Sequence, residues 1–172
     1  MYNAGFAMAT NRSKARTFIG ENVTINCPNA NISVEHDYTS NAEALMVSAA
    51  AGGIGAGVTV TMVINALDAV SYVGSIATKA DGTIDTSVPV SGSIIAKTMD
   101  ITANSVGTSS VTGASISGGS VAVNGVVALA FNNIQNKAII GRMPVELRNG
   151  DLNVIATMCG LEETDNGPVL TM

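Results

Sequence analysis

The sequence predicts an all-β protein, and within that class a parallel β-helix (a β-solenoid). Three observations carry this: composition, period-two alternation, and an internal repeat. Of 172 residues, 47% are hydrophobic but only 3% are aromatic, with no Trp. The apolar share comes from 23 Ala and 19 Val, joined by 18 Gly and by 47 Ser, Thr and Asn, while Leu, Glu and Lys are scarce. That mixture is poor in helix formers and rich in strand and turn formers. It excludes a helical bundle, and the apolar content excludes a disordered chain.

Three segments align without gaps: Phe6–Gly20, Val60–Gly74 and Val127–Gly141. Each reads as an alternating strand, an Asn six residues in, a polar turn, and a second strand closing on apolar-apolar-Gly. The matched positions are Met8, Met62 and Leu129; Asn11, Asn65 and Asn132; Ile19, Val73 and Ile140; and Gly20, Gly74 and Gly141. A second set follows each glycine, aligning Ile25 with Ile94 and Val145, and Ile32 with Ile101 and Leu152. A glycine link recurs as Gly52-Gly53 and Gly118-Gly119.

The whole chain is thus expected to be one solenoid domain, with repeat-like units at about 6–59, 60–126 and 127–157 and a tail or capping segment at 158–172. About fifteen residues are inserted after Gly74, less two lost further on, giving a protruding loop at about 75–90 marked by the turn pair Asp81-Gly82. Stacked strands place like residues over like, where Asn can form side-chain ladders, and Asn11, Asn65 and Asn132 are expected to be corner residues of such a ladder. Coils of roughly 20 to 30 residues would give about six to eight turns and a stack on the order of 30 to 40 Å tall. The chain begins inside one repeat and stops inside another, so a fragment of a longer stack is expected. Its open strand edges predict end-to-end self-association.

The unit formed by an Asn-bearing strand, a polar stretch and Phe18-Ile19-Gly20-Glu21-Asn22-Val23-Thr24-Ile25 resembles the coil unit of very large bacterial surface adhesins. The leukotoxin-type and filamentous-haemagglutinin-like adhesins are the similar group; their Ser-Ala-Ala-Gly-Gly and Gly-x-Gly-Val runs are similar to Ser48–Val58. The resemblance covers roughly residues 5 to 157. It implies a right-handed parallel β-helix, export, and an extracellular, cell-surface location. It carries over no catalytic residue.

The search for chemistry yields little. Net charge is −5 and the pI about 4.6, so no basic surface awaits a phosphate backbone. Arg12, Lys14 and Arg16 read as a solvated strand face without aromatic interleaving, and nucleic acid is not expected as a partner. Cys27 and Cys159 have no metal-ligand spacing and read as small core residues, their pairing left open. With His36 as the one histidine, zinc or triad chemistry has little to work with. Gly52–Gly57 lacks the Asp of a calcium-binding repeat and the following helix of a dinucleotide loop. Glu35 and Asp37 point the same way from a strand, a solvated edge before a cation or sugar site, and do not recur at the matching Ile155 and Thr157. Thr59 and Thr61 start an array that Val126 and Ala128 end, against an ice-binding surface. The start of the chain lacks a signal peptide. Ala44–Leu67 is uncharged and long enough to cross a bilayer, but it alternates as a strand, and membrane insertion is not expected.

The expectation is therefore a structural or adhesive segment of a secreted or surface-anchored bacterial adhesin, not an enzyme, without catalytic, metal or cofactor sites. It would attach to a host-surface glycan, a matrix protein or a neighbouring cell. A carbohydrate-active β-helix enzyme and a plain stalk are the alternatives. The contact patch is expected on the inserted loop, at Lys79, Asp81 and Asp85, because loops on rigid scaffolds carry function.

Overall fold

The computed structural model describes residues 2–83, 85–148, 150–164 and 167–171, with side chains described up to Met158. Its regular elements are strands: β1 (Tyr2–Ile19), β2 (Thr24–Ala51), β3 (Ile54–Val73), β4 (Ser93–Gly118), β5 (Val121–Ile140), β6 (Val145–Leu147), β7 (Leu152–Thr164) and β8 (Gly167–Thr171). β1, β3 and β5 form one parallel sheet, here sheet A, in that order. β2, β4 and β7 run parallel in sheet B, where β6 also joins β4 and β8 pairs antiparallel with β7. Parallel neighbours need a crossover connection. In a chain so short of helix formers, a strand of the opposite sheet serves: β2 carries the chain from β1 to β3, and β4 from β3 to β5.

The repeat predicted from sequence is the repeat of the register. Asn11 pairs with Asn65 and Asn65 with Asn132; Met8, Met62 and Leu129 align, as do Ile19, Val73 and Ile140. Ile25, Ile94 and Val145 also align. Three expectations are corrected. First, Ile32 lies beside Met99, not Ile101, because β2 carries a bulge between Cys27 and Asn31; this is where the second copy lacks two residues. The exposed Pro28 sits in that bulge on an edge strand, the place in a sheet where a missing amide donor is tolerated. Second, Gly52 is equivalent to Gly119, not Gly118: both turn with φ near +150° (153° and 154°) where the chain leaves sheet B.

Third, no turn follows the Asn. Each Asn sits within one continuous strand of 18 to 20 residues, so a full circuit takes a whole repeat rather than 20 to 30 residues. Sheet A is therefore long and shallow, its strands reaching roughly 60 Å while only three stack about 4.8 Å apart. The physical reason lies inside. Polar residues that read as a turn either face solvent or find hydrogen bonds across the narrow interior.

That interior is zoned. Near the Gly20, Gly74 and Gly141 end, Val34, Val73, Ile94, Ala96, Met99 and Ile101 form an aliphatic core, with Ile19, Cys27 and Ile140 packed on it. Further along, small side chains let the sheets close on one another, and Ala42, Ala44 and Val63 form a second cluster. Here a methyl group on Gly107 would overlap the Ile134 side chain. Cys27 is a free thiol and a core residue. By register it lies beside Ala96, whereas Cys159 lies beside Val106, ten residues further along β4. At about 3.3 Å per residue that separation, roughly 33 Å, is far beyond disulfide reach. The uncharged stretch Ala44–Leu67 is the end of β2, the glycine turn and the start of β3; among the described residues no helix is long and apolar enough to cross a membrane.

Candidate functional site

Alternation gives each sheet one outer face, and the two faces differ. On sheet A, outward rows run across the three strands as Phe6–Val60–Val127, Met8–Met62–Leu129 and Thr10–Ile64–Phe131. Phe6 is 62% exposed and Phe131 52%. Beyond Asn11 the same face turns charged. Arg12, Lys14 and Arg16 are exposed as expected, and Arg16 forms an ion pair with Asp68 of the neighbouring strand. A shallow recess of about 200 Å³ lies among Arg12, Lys14, Ala66, Asp68, Asn133 and Gln135, where the short Ala66 dips between longer neighbours. Next to it, Phe18 and Tyr72 stack with ring centroids 5.0 Å apart.

From Ser33 to Glu43 and on the strands beside them, sheet B presents mainly hydroxyls, amides and carboxylates instead, and further along it exposes Leu45, Val47 and Ile116. Ser33, Asp100 and Asn153 share one row; Glu35, Thr102 and Ile155 the next; Asp37, Asn104 and Thr157 the third. Asn153 Nδ2 donates to Asp100 Oδ1 at 2.7 Å, and the Ser33 hydroxyl donates to Glu35. Glu35 and Asp37 are thus exposed on one face, as alternation predicts, with Ile155 and Thr157 in the matching third-strand positions.

His36 points the other way, into the protein. Its Nδ1 lies 2.8 Å from Ser71 Oγ and its Nε2 3.1 Å from Asn136 Oδ1. Asn136 Nδ2 donates to the carbonyls of Ala103 and Thr157 (2.6 and 2.7 Å), tying β5 to both β4 and β7. A second polar band surrounds Asn65, which is fully buried. Its Nδ2 donates to the carbonyls of Ser40 (2.9 Å) and Thr108 (3.0 Å); its Oδ1 accepts from Ser40 Oγ (2.6 Å) and from Asn11 Nδ2 (3.3 Å). Asn132 continues the row by accepting from Ser109 Oγ at 2.5 Å. The Asn ladder is therefore inward and mid-strand rather than at a corner, and it binds sheet to sheet. A third band links Ser48 to Thr59 at 2.6 Å and to Ser115 at 3.2 Å. The sequence signal for these bands was present in the odd positions of β1 and β3 and the even positions of β2, where Ser, Asn and His fall in phase with core alanines.

The inserted loop stands where the duplication leaves room, between Gly74 and Gly92. Gly82 N–H donates to Lys79 O at 2.9 Å, with Gly82 at φ +83°, so the Asp81-Gly82 turn forms as predicted. The three residues expected to make contact lie on this loop: Lys79 and Asp81 are exposed and Asp85 is half-buried. Asp81 Oδ1 accepts from the hydroxyl (2.7 Å) and amide (2.9 Å) of Thr83. Asp85 Oδ1 accepts likewise from Ser87 (2.6 and 2.9 Å). Arg142 anchors the loop from below by donating to the carbonyls of Asp85 and Val88. The Thr83 hydroxyl, then its amide, holds the Asp81 carboxyl below its ordinary value. The Ser87 hydroxyl and amide, with a smaller contribution from Arg142, do the same for Asp85.

A depressed folded-state pKa stabilises the loop above the ordinary carboxylate value and stops doing so as pH falls through the lowered one. Carboxyl titrations by NMR should therefore show both midpoints below 3.8, with the Thr83 and Ser87 amides losing protection in the same range. A midpoint at or above the ordinary value would show that these turns do not persist in solution.

Among the described residues no three His, Cys, Asp or Glu side chains gather as a metal site. A scan against family models, a search of curated proteins and a search of solved structures each return no match to this chain.

Proposed function

We propose that this chain is a parallel β-solenoid segment with a structural and adhesive role on a bacterial cell surface. The observation that supports it is the in-register stacking of three sequence repeats, which makes two broad, flat faces rather than a deep cleft. Flat lateral faces suit extended ligands, and sheet B offers the donors and acceptors that sugar hydroxyls need, in Glu35, Asp37, Thr102 and Asn104. The loop from Lys79 to Asp85 is a second contact patch, held out on the rigid body by Arg142. Its Asp81 and Asp85 carboxylates each keep one oxygen, Oδ2, outside the turn bonds made by Oδ1.

The test is a glycan and matrix-protein array probed with the purified chain, followed by mass spectrometry of bound oligosaccharides. Binding with intact sugars is the expected result, weakened at least several-fold when the 79–85 loop is shortened or when Glu35 and Asp37 are replaced by Ala. Shortened sugars would replace this reading with a carbohydrate-active enzyme. No binding at all would reduce the role to a stalk.

A further inference from the structure

Among the described residues, sheet A has two bare edges. β1 and β5 each pair with β3 alone, along 18 and 20 residues. Long edges of this kind are normally blunted by lysine, proline or a bulge. Neither strand contains Pro, and residues 2–11 and 121–136 contain no Asp, Glu, Lys or Arg. The inward residues of β5 tell the same story. Val126 is 46% exposed, whereas Thr59, its equivalent on β3, is wholly buried.

From these edges we infer that the chain assembles head to tail, β5 of one copy pairing in parallel with β1 of a second copy. This goes beyond the adhesive role and does not depend on it. The register follows from the repeat, since β1 is to β3 what β3 is to β5. It sets Asn132 beside the second copy's Asn11, extending the buried amide ladder. It also sets Leu129 beside Met8, Val127 beside Phe6, Gly125 beside Ala4 and Val123 beside Tyr2. The cations of β1 then meet amides: Arg12 faces Asn133 and Lys14 faces Gln135. One row, Lys137 with Arg16, joins like charges.

On sheet B the hairpin partner β8 occupies the level that the second copy's β2 would take, because Gly160 aligns with Gly107 and Ser40. The exchange favours assembly: a 5-residue pairing is given up for one of 18 residues on sheet A, with more on β7. The hairpin acts as a cap that slows association without preventing it.

Two variants test the pairing, each spoiling one edge: Met8→Lys on β1 and Leu129→Lys on β5. Both parent side chains point outward and are exposed (56% and 38%), so the fold should hold. Sedimentation velocity on the wild-type chain should show an open, concentration-dependent series of species. Either variant alone should associate about tenfold more weakly, since a lysine on a bare edge opposes pairing. An equimolar mixture should recover a two-chain complex and stop there, because each variant keeps one intact edge. Phe6→Lys and Val127→Lys repeat the test one row away should either first variant fail to fold. A wild-type chain that stays monomeric, a single variant that self-associates as tightly as the wild type, or a mixture that remains monomeric would each overturn the proposal.

Discussion

Replacing Asn65 by Leu should cost about 3 to 5 kcal/mol of folding stability, because an unmet buried polar group costs roughly 1 to 3 kcal/mol and several are unmet at once. Leucine fills a similar volume but takes away both donors from the carbonyls of Ser40 and Thr108. It also removes the acceptor for the Ser40 hydroxyl, in a position wholly closed to water. The matched Asn132→Leu should cost under about 1 kcal/mol, since its side chain is exposed and solvent can replace the lost bonds. Urea unfolding of the two variants beside the wild type decides it. Equal losses would mean that the amide ladder is not the cross-sheet tie described here.

Gly74→Ala is the second large effect, at roughly 3 kcal/mol or more. Part is backbone: φ is +80°, and a left-handed conformation costs an L-residue about 1 to 2 kcal/mol. The rest is space. A β-carbon there would come within 2.7 Å of the Arg142 carbonyl oxygen and of Met143 Cβ, neither of which can swing away. Gly82→Ala isolates the first part, because Gly82 has φ +83° but open space around it. Thermal unfolding should place Gly82→Ala within about 1 to 2 kcal/mol of wild type, and Gly74→Ala well beyond it. If the two shift alike, the close approach of the Gly74 and Gly141 turns is wrong.

The two comparisons mark how much was legible beforehand. Asn65 and Asn132 occupy equivalent repeat positions, and their alignment is plain in the linear sequence. Their unequal burial is not. Asn65 lies on the central strand of sheet A and bonds both β2 and β4 of the facing sheet, whereas Asn132 lies on the edge strand β5 and bonds Ser109 of β4. The glycines behave the same way: Asp81-Gly82 announces its turn locally, but the squeeze on Gly74 comes from Arg142 and Met143 in the next repeat. His36 is a sharper case. In sequence it sits between two acids and shares their surroundings, yet alternation sends Glu35 and Asp37 to solvent and His36 inward to Ser71 and Asn136.

Legible in the linear sequence were the all-β class, the stacking of β1, β3 and β5, the point where the inserted loop leaves the body, and the residues that tip its turn. These properties depend on neighbours two residues apart or on a repeat that copies itself. It took the folded arrangement to show that each repeat makes one long strand per sheet, that Asn, Ser and His bond across the interior, and that the apolar rows from Phe6 to Phe131 lie on the outer face of sheet A. The reason is that a polar side chain in mid-strand is destabilising or stabilising according to what the opposite sheet places in front of it. That partner is supplied by residues 25 to 43 positions away, as Ser40 and Thr108 are for Asn65.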